Sequence, residues 1–409
     1  MKNKALFLSL LTAMSQTAFA SETTDEIALL RQQIQMLTER LDKIENQKSQ
    51  KIIVQAAAPK VQEAAKPAST KKNEDHWYEK MSLHADLRDR FEYIDQRDKA
   101  TRTRNRVRFR MGGEYQVNQD VKIGFGLASG LDEPTSTNQT LGDAFSTKDI
   151  RLDLAYYRWD INDTFTLTGG KMKNPLYRPG KNPALWDNDL NPEGFSLTMD
   201  NGFLQAAFIG YSVEEIKAGD DILLFGGQVR HAFKLSDSAK LIAGVGYYDY
   251  QNLQGNEPLA DGKAHGNTLD SNGKIANDFN TVEAFLEYKT KLANKPFSVY
   301  GNFYQNTEVD DLDSAYTVGF TYGKVKNFGS WSLGYAYLDV EADAVYGLFN
   351  DSDFGGGNTD SKGHLLRAGY GLKKNTSLAL TYIDSETDQS KAIQTDYDRL
   401  QLDFIVKFK

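Results

Sequence analysis

The chain has 409 residues, no cysteine, 33 glycines against 9 prolines, 21 tyrosines, 22 phenylalanines and a formal net charge of −8. An acidic balance, with the densest arginine run confined to one stretch, gives no surface for nucleic acid. Without cysteine there is neither a thiol nucleophile nor a disulfide frame, which suits export through an oxidising compartment.

Lys2 and Lys4 precede the apolar run 5–14, and Ala18-Phe19-Ala20 supplies small residues at a cleavage position. Residues 1–20 therefore read as a secretory signal peptide. No later stretch nears the ~20 consecutive apolar residues of a spanning helix. Membrane residence would then require a closed barrel, the other structure that satisfies its own backbone in lipid.

Residues 21–48 read as a short α-helical coiled coil in the periplasm. Ile27, Leu30, Ile34, Leu37, Leu41 and Ile44 alternate steps of three and four, the seam of a heptad repeat. A parallel partner would pair Glu26 with Arg31 and Arg40 with Glu45. Isoleucine at a with leucine at d favours two strands, whereas Arg40 to Glu45 resembles a motif of trimeric coils; a homotrimer is expected, with a dimer or a helix packed on its own barrel as alternatives. Residues 49–76, rich in Ala, Lys, Gln and Pro, read as a linker. Its lysines suit either a solvated spacer or contact with peptidoglycan through the 22–76 segment.

From Trp77 to the C-terminus, segments of about ten residues alternate apolar and polar positions, as in Val121-Ile123-Phe125-Leu127 and Leu400-Leu402-Phe404-Val406-Phe408. This is the period of a strand with one face in lipid and one in a wet lumen. Connections alternate in length. Short ones fall near 118, 162, 201, 237, 294, 328 and 375, and long ones at 94–101, 131–148, 173–194, 212–220, 252–278, 342–361 and 386–393, with a shorter one near 310–313. Short periplasmic turns against long outer loops predict an all-β transmembrane barrel of about 16 antiparallel strands over 77–409, the strand at 195–200 being the weakest. Trp77, Trp159 and Trp331 then fall at periplasmic strand ends, where an aromatic girdle belongs.

Within the barrel, Arg102, Arg104, Arg106, Arg108 and Arg110 recur at every second residue and predict a guanidinium ladder on the lumen face. The long loop 173–194 is the third outer loop. If it folds inward, Asp187, Asp189 and Glu193, with Lys171 at its start, would face the ladder across a narrow eyelet. Opposed rows of charge set up a transverse field that favours polar solutes. The alternative is that the arginines pair with neighbouring acids, for which Asp86 and Glu92 are available.

Leu152 to Tyr156, then Gly170-Lys171-Met172-Lys173-Asn174-Pro175, then Trp186 to Gly194 resemble the putative porin family of Gram-negative bacteria. The resemblance implies a trimeric diffusion channel in the outer membrane, bordered by lipid and lipopolysaccharide and passing small hydrophilic solutes. A substrate-selective anion channel and an envelope tether or surface receptor with a plugged barrel are the alternatives. No cofactor is expected: Asp187-x-Asp189-x-Asn191 opens like a calcium loop, but Pro192 replaces the needed glycine, leaving only a looser loop calcium site open. The histidines (His76, His84, His231, His265, His364) show no metal spacing, and no catalytic motif is present.

Overall fold

The computed structural model describes residues 76–408. The expected signal peptide, coiled coil and all but the last residue of the linker lie outside the described residues.

After a single 3-10 turn at Trp77–Lys80, seventeen strands follow. They are β1 (Met81–Gln96), β2 (Arg102–Gln116), β3 (Val121–Ser129), β4 (Gln139–Thr140), β5 (Ile150–Asp160), β6 (Phe165–Lys171), β7 (Glu193–Asp200), β8 (Leu204–Glu214) and β9 (Ile222–Lys234). The rest are β10 (Lys240–Gln251), β11 (Asn280–Leu292), β12 (Lys295–Asn306), β13 (Ser314–Gly323), β14 (Trp331–Val340), β15 (Ser361–Lys373), β16 (Thr376–Thr387) and β17 (Thr395–Phe408). Sixteen of them pair antiparallel in sequence, and β1 pairs with both β2 and β17, so the sheet closes on itself. The eight long and seven short connections fall where the sequence places them, and the weakest predicted strand is β7.

The seventeenth strand is β4. β2 has fifteen residues and its neighbour β3 only nine, which would leave the upper half of β2 unpaired on that side. Unpaired backbone polar groups are costly next to lipid. The second outer loop therefore folds back, and Thr140 and Gln139 pair with Arg106 and Val107.

Outward side chains such as Leu286, Phe303, Val318, Leu333, Leu366 and Phe404 are exposed, as a lipid-facing band requires. Trp159 and Trp331 lie at the short-turn ends of β5 and β14, and the Lys295 ammonium sits 3.8 Å over the Trp331 ring. This fits an interfacial aromatic belt.

The apolar core lies inside the barrel and is built by loops. Trp186, from the third loop, meets Tyr248 of β10 edge-on with ring centroids 5.4 Å apart. Tyr346 of the seventh loop packs on Phe279 of the fifth at 5.8 Å and on Tyr250 at 5.6 Å. Met172, Leu176, Ala184, Leu185, Leu253 and Val345 complete the cluster against β8–β12. Loops three, five and seven thus pack together against one side of the barrel wall.

Candidate functional site: a charged constriction

Arg102, Arg104, Arg106, Arg108 and Arg110 all lie on β2, and most of them are engaged. Register places Asp86 opposite Arg110, Arg88 opposite Arg108, Arg90 opposite Arg106 and Glu92 opposite Arg104. Arg108 and Arg110 share Asp86, at 2.8 and 3.0 Å. Glu92, fully buried, accepts from Arg104 and lies 3.7 Å from Arg106 and 2.9 Å from Arg399 of β17. Arg102, exposed at the outer end of β2, makes no ion pair among the described residues. Nearby acids are therefore the first partners of four of the five ladder arginines.

Two loops then reach the same wall. From the third loop, Asp189 sits 3.0 Å from Arg110 and 3.6 Å from Arg108. The seventh loop, which sequence reasoning did not place in the lumen, brings Asp353 to 2.8 Å from Arg399 and 3.4 Å from Arg90. The second loop contributes Asn138, whose Oδ1 accepts from Arg88 at 2.6 Å. Asp403 of β17 completes the set, accepting two hydrogen bonds from Arg90 at 2.6 and 2.8 Å. Arg88, Arg90 and Arg399 were thus missed beside the ladder. Their signal was present, since Leu87 and Phe91 alternate with Arg88, Arg90 and Glu92 along β1.

Where these groups converge, a cavity of about 240 Å³ remains, lined by Arg88, Arg90, Arg108, Arg367, Asp187, Asp351 and Gln401 among others. At its flanks the two signs of charge are in contact rather than facing each other across a gap. Seven guanidiniums (Arg88, Arg90, Arg104, Arg106, Arg108, Arg110, Arg399) share five carboxylates (Asp86, Glu92, Asp189, Asp353, Asp403), and Arg367, Asp187 and Asp351 line the same cavity. The buried Nε–H groups of Arg88, Arg106, Arg108 and Arg399 have no protein acceptor among the described residues.

The loop acids are not equivalent. Burial, with Asp351 nearby, pushes the Asp187 carboxyl well above the usual carboxylate range; burial beside Asp353 also raises Asp351. Burial opposes the charge of Asp189 and Asp353 too, yet Arg108 and Arg110 hold the first below its ordinary value, and Arg399 and Arg90 the second. Asp187 accepts backbone N–H groups from Asp189 at 2.7 Å and Ser352 at 3.0 Å, so it ties loop three to loop seven. Among the described residues no three acidic or imidazole side chains converge on a metal position.

Lys171 and Glu193 depart from the expectation. They face each other across β6 and β7 and pair at 2.8 Å. They line a cavity of about 1020 Å³ that shares Asp189 with the constriction, and neither forms an ion pair with the ladder. The reason is local: both stand at the strand ends, before the third loop turns inward.

A closed barrel of sixteen strands, with an apolar outer band and a lumen narrowed by inward loops to a charged aperture, is an outer-membrane channel. The chain belongs to the family described as "putative porin", whose pattern matches residues 93–295 and 268–408. Among solved structures it resembles Pseudomonas putida OprB at high pH, with a TM-score of 0.55 and 10% identity over 81% of this chain and 94% of that one. It also resembles Salmonella typhi OmpF in complex with daunomycin, with a TM-score of 0.50 and 13% identity over 80% of this chain and 97% of that one. At these identities the likeness is one of fold. No curated protein matches the chain.

Proposed function

We propose that this chain is a porin through which small hydrophilic solutes and ions diffuse down their gradients, with the aperture between the arginine ladder and the inward third loop as its eyelet. One observation carries the reading: Asp189 of the third loop lies against Arg108 and Arg110 beside a small aqueous gap. The arginines that line the gap, Arg88, Arg90, Arg108 and Arg367, support a tilt toward anions. Residues 21–48 would hold a homotrimer together in the periplasm through Ile27, Leu30, Ile34, Leu37, Leu41 and Ile44. The 22–76 segment is a candidate contact for peptidoglycan, and the barrel's outer face for lipopolysaccharide.

Planar-bilayer recording under a potassium chloride gradient tests this. We expect conductance steps in threes and an anion-leaning reversal potential that fades in the Arg106→Gln/Arg108→Gln variant. An unchanged reversal potential would remove the ladder from the conducting path. A second reading is favoured by the ion pairs that bridge wall and loops: a barrel plugged at the constriction, serving as tether or receptor. Folded protein without conductance would establish that reading instead.

A further inference from the structure

On the turn side of the third loop lies a second cavity, of about 540 Å³, whose charge is arranged unlike that of the constriction. Its lining includes Arg178 and Lys181 from the loop and Arg230 and Lys289 from β9 and β11, with one carboxylate, Glu287. Lys289 lies 3.3 Å from Glu287. The other three cations have no carboxylate within ion-pair distance among the described residues. Arg178 donates only to the backbone carbonyls of Trp186 and Asp187, at 2.7 and 3.1 Å. Arg230 donates Nε–H to Gln205 at 2.8 Å, and its Nη groups have no acceptor among the described residues.

The position is built rather than incidental. Tyr177 is locked by a reciprocal pair with the Gln228 amide at 2.8 and 2.9 Å, and its hydroxyl donates to Glu287. Its ring packs against the Arg230 guanidinium at 4.6 Å and the Lys289 ammonium at 5.2 Å, fixing both cations. Gly180 and Lys181 take left-handed backbone angles, φ 57° and 60°, which turn the loop tip tightly against Tyr300. Lys181, exposed at that tip, has no side-chain partner among the described residues. Pro175 and Pro296 add apolar walls.

We propose that this cavity is a binding subsite for a small organic carboxylate, held by Lys181, Arg178 and Arg230 with its apolar body against the two prolines. Unneutralised guanidinium and ammonium groups in a partly desolvated cleft are the partners a carboxylate needs, and the volume suits a small organic molecule. The subsite rests on the channel reading. It makes the pathway saturable for such anions, because a solute leaving the constriction meets a site before the periplasm.

The test uses the full-length protein in planar bilayers with benzoate, its neutral isostere benzamide and the cation benzylammonium, each added to either side in turn. Benzoate on the turn side should interrupt the potassium chloride current in resolved, concentration-dependent blocks, and the other two probes should not. Lys181→Gln, an exposed loop change that leaves folding alone, and Arg230→Gln should each weaken the block about ten-fold, the loss of one charge-assisted hydrogen bond. Block by all three probes alike, or benzoate block unaltered in both variants, overturns the subsite. Open channels that benzoate never blocks overturn it while leaving the porin standing. A protein without potassium chloride conductance removes the channel and the subsite together.

Discussion

Asp353 of the seventh loop and Arg399 of the last strand, 46 positions apart, meet at 2.8 Å inside the lumen. Arg399 is almost wholly buried, so the pair clamps the loop to the wall. Asp353→Asn should free the loop: single-channel conductance rises and open-channel noise increases. Arg399 keeps Glu92, so the barrel remains folded, and heat-modifiability on gels separates this outcome from unfolding.

Glu92 is the more severe position. It lies within ion-pair distance of Arg90, Arg104, Arg106 and Arg399. Removing one partner of a buried ion pair costs about 3–5 kcal/mol, because the surviving charge is left uncompensated. Glu92→Gln should therefore lower the denaturation midpoint far more than Asp86→Asn, whose arginines retain Asp189. Equal midpoints would contradict the ranking.

Acid should shift selectivity. Asp187 and Asp351 have raised pKa values, so on acidification they take up protons before Asp189 and Asp353, which are held low by arginines. A raised folded value means that their contribution to stability is greatest in acid and lost as pH rises through that value. Losing negative charge beside the arginines should move the reversal potential in the anion direction as the pH falls, before it reaches the ordinary aspartate value of about 3.9. Asp187→Asn should flatten that response; an undiminished shift would place its origin elsewhere.

Gly180 has φ 57°, and a Cβ there would meet the Tyr300 ring at 2.0 Å. Gly180→Ala should displace the loop tip, at about 1–3 kcal/mol for the strained backbone, and expose the third loop to limited proteolysis. Relief by Tyr300→Ala in the double variant would assign part of the effect to the ring.

The outer face has its own test. Leu286 lies midway along β11 and is 53% exposed. Leu286→Lys should cost about 2–4 kcal/mol in membrane unfolding, the penalty for a charge at the bilayer midplane. A near-zero effect would contradict a lipid-facing assignment.

Much of the fold was legible because the physics is local. A two-residue period needs no partner to be read, and Arg102 to Arg110 announce one charged face whatever lies across from them. The short turns were equally plain. What the chain could not reveal is register and loop depth. That Glu92 faces Arg104 depends on strand pairing, and its contact with Arg399 depends on closure of the whole sheet. The seventh loop carries no periodicity, so nothing in Asp351-Ser352-Asp353 announces that it descends to the wall. The length mismatch between β2 and β3 likewise showed no sign of the fold-back of Gln139 and Thr140. That Lys171 and Glu193 pair with each other was hidden for a related reason: membership of a loop does not say which side chains meet.

The barrel's closure gives the charged wall a role in assembly. Ala85 stands opposite Phe408, so the first strand waits for the last before either finds its second neighbour. On the lumen side that junction is crossed by Arg90 with Asp403 and by Arg399 with Glu92. The residues that line the aperture are thus also the clasp between the beginning and the end of the chain. Until the clasp shuts, Arg90 lacks Asp403 and Arg399 lacks Glu92, so a half-built barrel has electrostatic reason to stay with its insertion machinery.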